Sequence, residues 1–279
     1  MKEFNGRTAV ITGASSGIGL GLATRFAAEG MNVVMADIER VKLDAAAKAV
    51  GANGARVRAV TVDVANPDSV AELATAAIAD FGRVHVVCAN AGVATYGSVW
   101  EQSMDDWKWT LGVNLWGVIH TLRAFIPDMI AHGEDGHIVV TSSAAGLLAT
   151  TSSSYSASKY AVLGISEGLA ADLAGTRIGV SVLCPGGVKT GIFQSERNRP
   201  RDLAQHGVHR PEIASWVATL AAPDRKDQVS PAYIADQVLR AIQDNELYIM
   251  PSQRAHREPI RQRLQRMLDK LATQPTSDA

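Results

Sequence analysis

Short, almost wholly apolar runs alternate with segments of helical spacing along most of the chain. Thr8 to Thr12, Asn32 to Ala36, Arg56 to Val62, Val84 to Cys88, His137 to Thr141 and Ile178 to Leu183 read as strands, with Leu247 to Met250 as a last one. Between them, Ile18 to Glu29 reads as an Ala-rich helix ending at Gly30, and a second Ala-rich helix follows Pro67. Helical spacing then runs from Met104 to about Ala131, with Pro127 near its end, and returns over Ser153 to Leu173 and Ser230 to Gln243. Runs that stay apolar instead of alternating suit strands covered on both faces, and repeated strand–helix–strand order suits parallel crossovers. The pattern therefore predicts an α/β fold, a doubly wound parallel sheet with helices on both faces.

Two stretches depart from this pattern. Residues 187–230 carry Arg197, Arg199, Arg201, His206, His209 and Arg210 among scattered prolines, and read as a polar, mobile insertion that could serve as a lid. From about Glu258 to Leu271, a helix puts Ile260, Leu264, Leu268 and Leu271 on one face, with Arg261, Arg263, Arg266 and Lys270 elsewhere. That apolar face is expected against the body or a sister subunit, with a membrane surface as the alternative.

At 279 residues, 47% hydrophobic and 20% charged, the chain suits one domain over 1–279 with a sizeable core. A net charge of -1, with no basic stripe along the main body, argues against nucleic acid. Cys88 and Cys184 lie in apolar runs and read as inert core thiols in a reducing compartment. No basic-then-apolar leader opens the sequence, and no apolar run approaches the roughly 20 residues of a membrane span, so a cytoplasmic location is expected.

Thr12-Gly13-Ala14-Ser15-Ser16-Gly17-Ile18-Gly19 lies between the first strand and the first helix. In that setting Gly13, Gly17 and Gly19 allow backbone to approach a pyrophosphate, while the helix start offers free N–H groups; Ser15, Ser16 and Ile18 complete the cradle. Asp37 closes the second strand about 20 residues on, where a carboxylate can accept from both hydroxyls of an adenosine ribose and repel a 2′-phosphate. Ser16 supplies no offsetting cation, so NAD is favoured over NADP; Arg40 is the side chain close enough to swing toward a phosphate. Asp63-Val64 and Asn90-Ala91-Gly92 end the third and fourth strands, at the carboxyl edge where open α/β sheets bind ligands, with Asp63 placed to meet the adenine amino group. Nothing in these motifs calls for a metal.

Tyr155 and Lys159 stand four residues apart, one turn apart on a helix face. A free phenol titrates near 10, but a cation at about 5 Å in an effective dielectric of roughly 20 is worth about 3 kcal/mol, or roughly two pKa units. A positively charged nicotinamide would push the same way, and the lysine could also bond the nicotinamide ribose. Such a phenol can serve as a general acid and base.

These motifs resemble the short-chain dehydrogenase/reductase family in its single-domain, NAD(P)-dependent form, over roughly residues 6 to 195. TGASSGIG, Asp63-Val64, Asn90-Ala91-Gly92, Asn114 in Val-Asn-Leu-Trp-Gly, Ser142-Ser143, YSASK and Pro185-Gly186-Gly187-Val188-Lys189-Thr190 occur in family order. The resemblance implies a Rossmann-like sheet and a catalytic tetrad: Tyr155 as acid/base, Lys159 as its tuner, Asn114 supporting a water behind the lysine, and a serine holding the substrate oxygen. Matching the strand selects Ser143 and spacing back from the tyrosine selects Ser142; the strand match is preferred, because a slip of one residue reverses the face. Pro185, Gly186, Val188 and Thr190 are implied to close over the nicotinamide. Ala89 stands where many relatives have an asparagine. A homodimer or homotetramer is implied, packed through the helices containing Asn114 and Tyr155.

Val93, Tyr96, Leu147, Leu148, Phe193 and Trp216 are the expected pocket walls, suited to a hydrophobic or aromatic substrate. The reading is an oxidoreductase that interconverts a secondary alcohol and its ketone. An epimerase or dehydratase on the same scaffold, and an NAD-sensing regulator without turnover, are the alternatives.

Overall fold

The computed structural model describes the chain apart from residues 151, 204–211, 213–214, 216, 220–221, 223–227, 252–253 and 274–279, and apart from the side chains of 254–255. His206, His209, Arg210 and Trp216 lie outside the described residues.

Seven strands form one sheet in the order β3-β2-β1-β4-β5-β6-β7, every neighbouring pair parallel. They are β1 (Thr8–Thr12), β2 (Asn32–Asp37), β3 (Val57–Thr61), β4 (Val86–Ala89), β5 (Gly136–Thr141), β6 (Ile178–Leu183) and β7 (Tyr248–Ile249). Among the described residues the α-helices with defined bounds are α1 (Gly17–Ala28), α2 (Arg40–Gly51), α3 (Pro67–Phe81), α4 (Met104–Leu111), α5 (Gly117–His132), α6 (Ser153–Asp172), α7 (Pro231–Asp244) and α8 (Arg254–Ala272). This is a Rossmann-like sheet with a helical layer on each face. Leu22 and Phe26 of α1, Leu43 of α2 and Ile234 and Val238 of α7 fill one side. Val70 and Leu73 of α3, Leu122 and Phe125 of α5 and Val162 of α6 fill the other.

Local chemistry sets the helix starts. Asn66 Oδ1 accepts from the N–H of Asp68 at 2.9 Å, with Pro67 at the first helical position where its missing N–H costs nothing. Ser103 and Asp106 exchange side-chain and backbone bonds in a capping box at α4, and Ser230 caps α7 ahead of Pro231.

The chain departs from its sequence pattern in four places. α2 buries only Leu43, Ala46 and Val50, too narrow a stripe to stand out among its charges. β3 lies at the sheet edge and is only half-buried. The helix expected over Met104 to Ala131 is divided by a π-helical turn, Gly112–Trp116, that carries Asn114. The last helix begins at Arg254, and of its expected inward face only Ile260 is buried; Leu264, Leu268 and Leu271 are 44%, 59% and 74% exposed, because α8 extends beyond the body that its first turns touch. No helix among the described residues is long and apolar enough to cross a membrane.

Phe26 is fully buried between α1 and the sheet. Phe26→Ala is expected to lower the unfolding free energy by about 3–5 kcal/mol in urea titrations; a loss below about 1 kcal/mol would contradict this packing.

Candidate active site

The loops at the carboxyl ends of the strands surround a cleft of about 460 Å³. At one end is the β1–α1 loop. A Cβ on Gly13 would lie 2.9 Å from Ala91 Cα, and one on Gly19 only 2.1 Å from the Gly13 carbonyl oxygen, so this turn closes only without side chains. Ser16, Gly17 and Ile18 line the cleft, whereas Ser15 and Gly19 sit behind it. Ser16 makes no side-chain bond to cap α1, which leaves the first N–H groups of that helix for a ligand. Ser15 donates its N–H to Asp37 Oδ2 at 2.9 Å, and its buried hydroxyl has no partner. Thr12 Oγ1 accepts from the N–H groups of Asn90 and Ala91 at 2.9 and 3.1 Å, joining the ends of β1 and β4. Asp37, Asp63, Val64, Asn90, Ala91 and Gly92 line one wall, and Pro185, Gly186, Val188 and Thr190 the other. An uncapped helix start, a close backbone approach and a carboxylate beside the loop fit a dinucleotide.

At the opposite end, α6 presents Tyr155 and Lys159, with the Lys159 Nζ 5.6 Å from the centre of the Tyr155 ring. Lys159 is 3% exposed and donates to the Thr141 carbonyl at 2.8 Å. Burial lowers its ammonium from 10.5 to about 8. Burial also pushes the Tyr155 phenol above its ordinary value, and a hydrogen bond with the Ser143 side chain opposes that rise. In the protein alone the phenol therefore moves opposite to the direction expected from Lys159, because desolvation acts on both groups at once.

The two serines separate cleanly. Ser142 is buried and donates to the Lys159 carbonyl at 2.7 Å, while Ser143 turns toward the phenol. Asn114 is fully buried behind the cleft: its Oδ1 accepts from the Val93 N–H at 2.8 Å, and its Nδ2 donates to the Val93 carbonyl and Ser158 Oγ at 2.9 and 3.1 Å. It adjoins the lysine, since a Cβ on Gly92 would sit 3.3 Å from Asn114 Oδ1 and 3.6 Å from Lys159 Nζ.

Val93, Tyr96, Leu148 and Phe193 line the cleft, with the Tyr96 and Phe193 rings stacked at 6.4 Å. Leu147, expected beside them, turns into the core with Ala144, Val182 and Cys184. His256 and Ile260 of α8 also line the cleft, a contribution with no local sequence signal. The described start of the polar insertion is tied down where a mobile segment was expected. Ser195 Oγ accepts from the Ala94 N–H at 3.2 Å, Arg197 pairs with Glu39, and Arg199 bonds Asp106 at 2.6 Å while lying 4.4 Å over the Trp109 ring. Cys88 and Cys184 are free and buried; burial raises both thiols, Cys184 to about 11.

A family model described as short chain dehydrogenase matches residues 7–201. The chain belongs to the short-chain dehydrogenase family. It is 43% identical over 191 residues to the 1-deoxy-11-beta-hydroxypentalenate dehydrogenase of Streptomyces exfoliatus, covering 67% of this chain and 70% of that protein. It is 32% identical over 274 residues to the C alpha-dehydrogenase of Sphingobium sp. strain SYK-6, covering 98% and 88%. A crystal structure of a short chain dehydrogenase/reductase from Burkholderia phymatum in complex with NAD matches with a TM-score of 0.91 at 39% identity, over 100% of this chain and 99% of that one. This short-chain dehydrogenase is thus an oxidoreductase acting on hydroxyl groups with a nicotinamide cofactor.

The buried lysine of this dehydrogenase has a cost that can be measured. Because its pKa is lower folded than unfolded, the penalty for charging it is full below pH 8 and fades as pH rises toward 10.5. Lys159→Met removes that penalty but leaves the Thr141 carbonyl without its donor, a net gain of roughly 1–2 kcal/mol at pH 7. Urea titrations at pH 7 to 10 should show the gain shrinking with pH; a constant gap would mean that the ammonium is not desolvated.

Proposed function

We propose that this protein uses NAD to interconvert a hydrophobic or aromatic secondary alcohol and its ketone. The observation that carries the reading is a half-buried phenol beside the buried Lys159, lining, together with Ser143 and the glycine loop, one cleft suited to a dinucleotide. In the oxidative direction Tyr155 takes the hydroxyl proton and Ser143 holds the substrate oxygen. Lys159 keeps positive charge beside the phenolate that accepts this proton, held by the Thr141 carbonyl and flanked by Asn114. The nicotinamide, when bound, supplies the hydride-exchanging carbon and, in its oxidised form, a positive charge that favours the phenolate.

Asp37 supports NAD over NADP, since its carboxylate stands at the far end of the cleft where ribose hydroxyls are accepted and a 2′-phosphate is repelled. Arg40 does not offset it: its guanidinium bonds Asp44 at 2.7 Å on the exposed side of α2. In this reading the glycine loop, Asp63, Val64 and Asn90 to Gly92 hold the nucleotide, while Pro185 to Thr190 cover its nicotinamide end. The stacked Tyr96 and Phe193 rings, with Val93 and Leu148, give an uncharged aromatic body its wall. Trp116 and Ile130, exposed along the Asn114 region and α5, suit the homodimer or homotetramer that goes with this reading, and two free buried cysteines suit a cytoplasmic setting.

With a panel of secondary alcohols, wild type should accumulate NADH, and its kcat/KM with NAD should exceed that with NADP. Tyr155→Phe should lower kcat by at least about 1,000-fold while cofactor affinity stays within a few-fold. Retention of most activity would remove the tyrosine from the chemistry.

A further inference from the structure

The end of β2 carries a second carboxylate. Two residues past Asp37, Glu39 also lines the cleft, its side chain 15% exposed. Its oxygens receive donors from one distant segment and from the helix that follows it. Arg197, from the segment tied across the cleft, brings Nε to 3.1 and 3.2 Å from the two oxygens and Nη2 to 2.5 Å. Asn198 Nδ2 donates at 3.1 Å, and Lys42 of α2 reaches the other oxygen at 2.5 Å. A guanidinium fork, an ammonium and an amide converging on one anion suit phosphate as well as carboxylate. Arg197 and Asn198 line the cleft too, so this donor set opens on the space beside Asp37.

We propose that Glu39 is an internal stand-in for a 2′-phosphate: its carboxylate fills and neutralises a built anion site, so that Glu39 acts with Asp37 as the determinant of preference for the unphosphorylated dinucleotide. The inference rests on the reading above that this end of the cleft takes the adenosine ribose. The Arg197 guanidinium holds the Glu39 carboxyl down at about 2, so the plug is charged throughout the working pH range. The same contact fastens the crossing segment to the end of β2, and that fastening needs no phosphate from the cofactor.

The test is fluorescence titration of NADH and NADPH, without alcohol, on wild type, Glu39→Gln, Glu39→Ala and Glu39→Gln/Arg197→Met, with thermal melts confirming that each is folded. The Glu39 variants should bind NADPH about tenfold tighter or better, with NADH changed by less than about threefold. Their NADPH affinity should also fall more steeply with salt, and Arg197→Met should abolish the gain. An unchanged NADPH-to-NADH ratio in both single variants, or a gain that survives loss of Arg197, would overturn the role of Glu39 while leaving the cofactor reading intact. A wild type that binds neither nucleotide, or binds NADPH the tighter, would strike down that reading and the proposal with it.

Discussion

All seven strands run the same way, so each loop that follows a strand emerges at a single edge of the sheet. That constraint gathers segments far apart in sequence into one cleft. The glycine turn follows β1, Asp37 ends β2, Asn90 follows β4, the two serines follow β5 and the Pro185 loop follows β6. The long crossovers that parallel pairing demands are the helices that cover the sheet, and two of them serve the site directly. α6 presents Tyr155 and Lys159, and the π-helical turn before α5 places Asn114 at their rear. One extra residue in that turn shifts the register of the side chains that follow, which is how a continuous helical run can aim an amide inward.

Charge at the chemical end of the cleft comes at a cost. An ammonium and a phenol lie together at the cleft, and desolvation acts against the charged form of each. The surrounding contacts compensate selectively. The Thr141 carbonyl receives the lysine, Ser142 braces the helix backbone at Lys159, and Ser143 is left for the phenol. Adjacent residues of one strand end thus perform different tasks because alternate side chains leave opposite faces.

What could be read from residue order alone had a common property: the information was local. β1, β5 and β6 stand out because nearly every position is buried, and the glycine turn and the Tyr155–Lys159 pair carry their geometry within a few residues. α2 was illegible because charged neighbours outnumber Leu43, Ala46 and Val50, and the π-helical turn because it keeps the apolar spacing on either side. Leu147 stood as a wall beside Leu148 until the short helical turn after Ser143 directed it into the core. The pairing of Glu39 with Arg197 spans 158 positions, and no periodicity marks it. His256 lines the cleft through tertiary placement of the first turns of α8, which no local pattern announces.

Asp106 carries two obligations on one carboxylate. Its Oδ2 accepts from the Ser103 N–H at 2.9 Å to close the start of α4, while its Oδ1 receives the Arg199 guanidinium from the segment across the cleft. The segment after β6 and the first turn of a structural helix are therefore joined through one side chain. Withdrawing the arginine leaves that buried anion without its counterion, so the placing of the segment and the start of the helix depend on one another.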